Sequence, residues 1–77
     1  MTVARAKTMA KWEVREHADG LVDLHQGRKR QLTDVSYGVA MQYLRSHIGD
    51  GHKVLRVESD GYTSDITRAV RRKRAAP

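Results

Sequence analysis

The longest amphipathic stretch of the chain lies between Thr33 and Gly51. At about 100° per residue, its apolar side chains fall on one arc of a helix. These side chains are Tyr37, Ala40, Met41, Leu44 and Ile48. The pattern predicts a helix whose apolar face packs on the rest of the domain. We expect Asp34 or Ser36 to cap its first turn and Gly49 to end it in a left-handed conformation.

Two segments with alternating apolar and polar residues precede this helix and predict a β-hairpin. Their apolar residues are Trp12, Val14, Val22 and Leu24. All four share one face only if the connecting loop has three residues, 18–20, with Gly20 left-handed at a bulge. This register places Arg15 opposite Asp23 on the polar face.

A second hairpin is predicted after the helix, around Asp60 and Gly61. A two-residue turn at these positions pairs Leu55 with Ile66 and turns Arg56 outward, towards Asp65. The apolar face of this hairpin then consists of Leu55, Val57, Tyr62 and Ile66. A short extended segment at 28–33 also fits the pattern.

These elements predict an α+β fold of order β-β-α-β-β. Two hairpins form a four-stranded, largely antiparallel sheet, and one helix packs on one face of it. We expect residues 1–10 to be a disordered N-terminal arm, residues 11–67 to form the domain, and residues 68–77 to be a basic tail. The tail shows no apolar face and is predicted to form at most a helical turn at 68–74.

With this order of elements, the chain resembles a widespread family of small uncharacterised bacterial domains. The resemblance covers roughly residues 11–67 and rests on the Trp12 hairpin, the Gly27-Arg28-Lys29 break, the alanine-centred helix and the Asp60-Gly61 turn. The chain departs from the family pattern at Gly20-Leu21, where a Gly-Trp pair would open the second strand. The resemblance implies the fold and no activity.

Size and composition limit the classes of protein that fit. A chain of 77 residues forms one domain and buries only about 60% of its surface on folding, so a homodimer would add stability. The chain contains no cysteine, which fits a reducing compartment. It has no apolar run near the roughly 18 residues of a membrane span. We therefore expect a cytoplasmic protein with no membrane contact. The resemblance implies a bacterial origin, and the alternative function below is that of a bacterial or phage-encoded regulator.

The net charge of +6 is unevenly distributed along the chain. Residues 1–11, 28–30 and 68–74 together hold 11 of the 15 basic residues and no acidic residue. The rest of the chain carries four basic and nine acidic residues. An acidic body with basic appendages is therefore expected.

The basic segments favour a non-enzymatic module that binds the phosphate backbone of DNA or RNA without sequence specificity. Cations of this kind neutralise phosphates and release counterions. The candidate contacts are Arg28, Lys29, Arg30, Arg68, Arg71, Arg72, Lys73 and Arg74. The opposing interpretation is that the charged run is a solvated tail.

A regulatory protein-interaction module is the alternative function. Val39 and Tyr43 form a second apolar strip beside the main face of the helix, and an open strand edge offers another docking surface. The strip either packs against the sheet or contacts a larger partner. The acidic body favours this alternative, whereas the clustered arginines favour nucleic acid.

Neither catalysis nor a cofactor is predicted. The four histidines, at positions 17, 25, 47 and 52, lack the spacing of a metal-chelating pair, and no cysteine is available to complete a site. The sequence has no nucleophile elbow and no glycine-rich phosphate loop. We therefore expect no metal, no cofactor and no enzymatic activity.

Overall fold

The computed structural model describes residues 11–72, and for Arg72 the backbone alone. The elements are β1 (Lys11–Glu16), β2 (Val22–Gln26), β3 (Lys29–Val35), α1 (Tyr37–His47), β4 (Lys53–Val57), β5 (Thr63–Asp65) and α2 (Thr67–Arg72). The α+β class is confirmed. The predicted arm at 1–10 and the end of the predicted tail at 73–77 lie outside the described residues.

The sheet has five strands in the order β3-β2-β1-β4-β5. The predicted four-stranded sheet is wrong because the segment after Gly27 forms a full strand, β3, beside β2. The central strands β1 and β4 are parallel, whereas the other neighbours are antiparallel. The sheet is mixed because α1 carries the chain back along it, so β4 enters in the same direction as β1.

The core lies between one face of this sheet and the two helices. Its fully or nearly fully buried members are Trp12, Val14, Val22, Leu24, Ala40, Met41, Leu44, Val54 and Val70. The strands β1, β2 and β4 contribute to it, and α1 supplies Ala40, Met41 and Leu44 from its predicted apolar arc. The predicted apolar faces of the first hairpin and of the helix are therefore confirmed.

The first hairpin has the predicted register. Arg15 lies opposite Asp23, and the amide of His17 donates to the carbonyl of Leu21 at 2.9 Å across a three-residue loop. Gly20 has a φ of 93°, a conformation that glycine adopts without steric cost. The apolar pattern alone was sufficient to determine this loop length.

The second hairpin does not have the predicted register. The amide of Glu58 donates to the carbonyl of Tyr62 at 2.8 Å, so its loop has three residues rather than two. Gly61 has a φ of 96°, and the Asp60 carboxylate accepts from the amide of Tyr62 at 2.9 Å. The first hairpin has the equivalent carboxylate contact at Asp19. Both Asp-Gly sequences therefore build the same three-residue loop.

The faces of β4 are also the reverse of those predicted, because the register with β1 places Val54 opposite the buried Trp12. Val54, opposite Trp12 in β1, is buried, and Leu55 and Val57 lie on the other face, half-buried. The predicted outward position of Arg56 is also wrong: its guanidinium lies 5.1 Å from the centre of the Tyr37 ring on the helical side.

The ends of α1 differ in part from the prediction. Ser36 is the N-cap, and its hydroxyl accepts from the amide of Val39 at 3.1 Å. The helix ends at His47, and its C-cap residue Ile48 is extended (ψ 135°). The predicted left-handed Gly49 is wrong, since the left-handed glycine of this loop is Gly51, with a φ of 82°.

The chain from Thr67 onward is part of the domain. Val70 of α2 is completely buried, and the hydroxyl of Thr67 accepts from the amide of Val54 at 2.8 Å. The predicted domain boundary at residue 67 and the apolar-free tail are therefore wrong. The helical turn predicted at 68–74 is present in α2 as far as Arg72, but a single valine in a run of arginines was too weak a pattern to predict that it packs in the core. Neither helix in residues 11–72 has the length and apolar character that crossing a membrane requires.

Candidate nucleic-acid interface

Cations from four segments lie at the end of the sheet where β1 and β4 begin. Lys11 and Lys53 are register partners in the parallel pair. The amide of Gly27 donates to the carbonyl of Lys11 at 2.8 Å, which brings the β2–β3 turn alongside. The Thr67 contact with Val54 places the start of α2 at the same end. We call this cluster the basic end; it consists of Lys11, Arg28, Lys29, Lys53 and Arg68.

The side chains of the basic end are available to a ligand. All five residues are exposed, and within the described part of the chain none of them takes part in a salt bridge. Two acidic residues are near: Asp50 precedes Lys53 in the loop, and Asp65 accepts from the hydroxyl of Thr67 at 2.6 Å. That hydrogen bond, the largest cause, lowers the pKa of Asp65, and Lys53 adds to the effect.

The opposite end of the sheet is acidic. The strands β1, β3 and β4 all finish there, since β2 is antiparallel to both of its neighbours and β4 is parallel to β1. The carboxylates at this end belong to Glu16, Asp19, Asp34, Glu58 and Asp60. Basic and acidic side chains therefore lie at opposite ends of the strands. The sequence predicted only an acidic body with basic appendages.

The predicted loop contacts are divided between two surfaces. Arg28 and Lys29 belong to the basic end. Arg30 pairs with His25, on the face of the sheet that the helices leave uncovered. Burial is the main reason that the pKa of His25 is lowered, and Arg15 and Arg30 contribute.

The predicted tail contacts also separate. Arg68 is exposed at the basic end, whereas Arg71 donates from Nη2 to the carbonyl of Gly49 at 2.8 Å. Arg71 therefore joins α2 to the loop after α1. The backbone of Arg72 ends α2, and Lys73 and Arg74 lie outside the described residues.

Below this loop, His52 connects the basic end to the core. Its Nδ1 accepts from Trp12 Nε1 at 3.1 Å and from the amide of Gly49 at 3.0 Å. Together with Arg71, these bonds hold the loop in place before Lys53.

The predicted partner-binding strip is largely packed against the domain. The Tyr43 ring meets Trp12 edge-on at 6.3 Å between centroids, and its hydroxyl donates to Gln31 at 3.3 Å. Val39 alone of the pair is well exposed, at 47%.

The sequence did not indicate the roles of Lys11 and Lys53. Each lysine directly precedes a buried strand residue, Trp12 or Val54, but they become neighbours only through the parallel pairing of β1 and β4. A sequence pattern that specified this pairing would have revealed them.

A cluster of titratable groups at the acidic end was also missed. His17 Nε2 lies 3.0 Å from Asp23 Oδ1 and 3.4 Å from Asp34 Oδ1. Asp23 Oδ1 also accepts from the amide of Asp34 at 2.9 Å. A register shift in β3 and a φ of 51° at Asp34 bring this residue into reach. The imidazole nitrogen and the two carboxylate oxygens lie within 4.8 Å of one another, and these groups form hydrogen bonds with one another.

These contacts shift two pKa values in opposite directions. The hydrogen bond to Asp23 is the largest cause of the raised pKa of His17. The amide of Asp34, followed by His17, lowers the pKa of Asp23. His17 therefore adds stability that is complete below its ordinary pKa of 6.5 and is lost as pH rises through its raised value. The contribution of Asp23 is present above its ordinary 3.8 and is lost as pH falls through its lowered value.

We expect His17→Gln to destabilise the protein more at pH 5.5 than at pH 8. Urea unfolding of wild type and variant at both values measures the difference, and His25 titrates in both proteins, so its effect cancels. The control is His47→Gln, since His47 forms no ion pair in the described chain. Equal losses for His17→Gln at the two pH values would contradict the prediction.

Comparison of the chain with protein-family models, with curated proteins and with solved structures found no match to any of them. The resemblance to small bacterial domains therefore stays a prediction.

Proposed function

We propose that the protein is a small non-enzymatic module that binds the phosphate backbone of nucleic acid without sequence specificity. The single observation that carries the proposal is the basic end, where the fold gathers exposed cations from four segments. Lys11 and Lys53, paired across the parallel strands, form its centre. Arg28, Lys29 and Arg68 flank them.

The electrostatics of these side chains suit phosphate. An exposed lysine or arginine without a carboxylate partner breaks no ion pair when it contacts a phosphate. The contact releases the counterions that are condensed on the nucleic acid. Because most carboxylates lie at the other end, the field at the basic end is not cancelled locally. The molecule should therefore approach a polyanion with this end first.

The lack of sequence specificity follows from the shape of the surface. Reading bases in the major groove requires an element that enters it, such as a helix or a two-stranded ribbon. At the basic end, strands begin and a short turn closes, and α2 has one side buried through Val70. Contacts from here reach the backbone, which positions a protein but carries no sequence information directly.

The proposal also places the protein in the cytoplasm, where a chain without cysteine loses nothing to reducing conditions. A shallow depression lined by Asp65, Thr67, Arg68 and Arg71 lies beside the basic end. Its carboxylate is already bonded to Thr67, and Arg71 to Gly49. This leaves Arg68 to contact phosphate there, and we assign the depression no reaction.

The salt dependence of binding tests the proposal. Binding of a random DNA or RNA duplex should weaken linearly in log affinity against log salt, with about −0.9 of slope for each phosphate contact on B-DNA. The double variant Lys11→Gln, Lys53→Gln should flatten the slope by up to about 1.8. Fluorescence anisotropy at 50–200 mM salt, on the order of the range in which such slopes are measured, gives both values.

Arg15→Gln is the matched control. It removes a cation from the uncovered face of the sheet that already pairs with Glu13 at 2.8 Å. Its slope should stay close to that of wild type. If the double lysine variant and the Arg15 variant bind alike, the basic end is not the binding surface.

The protein-interaction alternative is supported by the exposure of Val39 and by the two open sheet edges, β3 and β5. It predicts negligible nucleic-acid binding at low salt and a partner that Val39→Glu releases. Val39 is preferable to Tyr43 for this test, because a charge at Tyr43 would disturb its contact with Trp12.

A further inference from the structure

We infer that the ligand of the basic end is a double-stranded nucleic acid, held by its backbone, rather than a single strand. This inference rests on the proposed function and specifies its substrate class. Proteins that bind single strands combine a basic groove with exposed aromatic rings on which bases stack.

The aromatic rings of the described chain are not available as a stacking platform at the basic end. Trp12, the aromatic residue next to Lys11, is only 2% exposed, and its Nε1 is bonded to His52. Tyr62 is 62% exposed, but it follows the 59–61 loop at the acidic end. Tyr37 lies under Arg56, which pairs with Glu16 at that same end.

One pair of stacked aromatic rings lies near the end of α1. Tyr43 and His47 stack on each other with centroids 3.9 Å apart and an interplanar angle of 12°. Each ring therefore already has a stacking partner on one face, and Tyr43 is held by Trp12 and Gln31. His47 is the exposed member of this pair, so it is the ring here on which a base could stack, and its replacement is a direct test.

The arrangement of the cations fits a duplex. Lys29 in β3 and Lys53 in β4 are separated by three strand spacings, roughly 14 Å at about 4.8 Å each. The major groove of B-DNA is about 12 Å wide, so such a row reaches phosphates on both sides of a groove. A duplex also presents one charge per about 1.7 Å of axis, twice the density of one of its strands. A row of cations therefore gains more from a duplex than from one of its strands.

The experiment compares equal lengths of duplex DNA, duplex RNA and oligo(dT) with the full-length chain, by fluorescence anisotropy at several salt concentrations. We expect one or both duplexes to bind on the order of tenfold more tightly than oligo(dT) at low salt, and the tighter duplex identifies the source of the backbone. Oligo(dT) bound as tightly as the tighter of the two duplexes, or more tightly, would overturn the inference and leave the proposed function standing. Binding to none of the three would overturn both.

The variant His47→Ala separates charge from stacking. If backbone charge governs binding, this variant should bind all three probes as wild type does, whereas Lys11→Gln with Lys53→Gln should weaken all of them. A selective loss of oligo(dT) affinity in His47→Ala, with oligo(dT) the preferred probe of wild type, would show a stacking site and overturn the inference. Circular dichroism of each variant confirms that it is folded.

Discussion

Replacing Leu44 by alanine is expected to lower the free energy of unfolding by about 2–5 kcal/mol. Leu44 is completely buried, on the face of α1 that packs against the sheet. Removing three of its carbons leaves a cavity that so small a core cannot refill by collapse. Since domains of this kind are stable by only about 5–15 kcal/mol, much of the population should unfold at moderate temperature.

Gln42→Ala is the control for the helix itself. Gln42 is exposed on the same helix, and the bond that its carbonyl accepts from Ser46 Oγ is retained in alanine. Thermal and urea unfolding should place this variant within about 0.5 kcal/mol of wild type. Equal melting temperatures for the Leu44 and Gln42 variants would contradict the orientation of α1.

Val70→Asp should cost at least about 3 kcal/mol, the second large effect expected. Val70 is the residue by which α2 enters the core, and it is completely buried. A carboxylate there either remains buried without a partner or pulls α2 off the domain, and both outcomes are costly. Urea unfolding measures the loss, and amide chemical shifts of residues 67–72 would show whether the helix detaches.

Ala69→Asp is the matched control, because Ala69 is exposed in the same helix and the charge change is the same. It should shift stability by no more than about 0.5 kcal/mol. Similar losses at Ala69 and Val70 would show that the effect comes from charge in α2 rather than from burial. The result also limits how the tail is tested: a deletion that begins at residue 68 removes a core residue, whereas one that begins at Lys73 removes two cations and leaves Val70 in place.

The first hairpin and the helix could be predicted because their patterns were redundant. Trp12, Val14, Val22 and Leu24 share a face in only one of the two registers considered, and α1 carries apolar residues at helical spacing over three turns. In the second hairpin, Val54, Leu55 and Val57 are all apolar, so the pattern does not distinguish the two faces of β4. The prediction chose the face with more apolar residues, whereas the register with β1 selected Val54.

The candidate interface could be predicted only in part, for a related reason. Arg28, Lys29 and Arg68 stood out as members of basic runs. Lys11 and Lys53 are separated by most of the chain, and no local pattern specifies that their strands pair in parallel. Asp34 reaches His17 only through an irregularity in β3, which propensities do not encode.

The parallel pairing of β1 with β4 also has a consequence for how the chain folds. Trp12 and Val54 become neighbours only after a loop of roughly forty residues has closed, and the entropy of that closure is lost before the contact contributes. In the described sheet, the β4–β5 hairpin joins the remaining strands only through the pairing of β4 with β1, since β5 lies at the edge. Both hairpins should thus gain stability in one cooperative step. The late, non-local pairing of β1 with β4 at the centre of the sheet should limit the rate of folding.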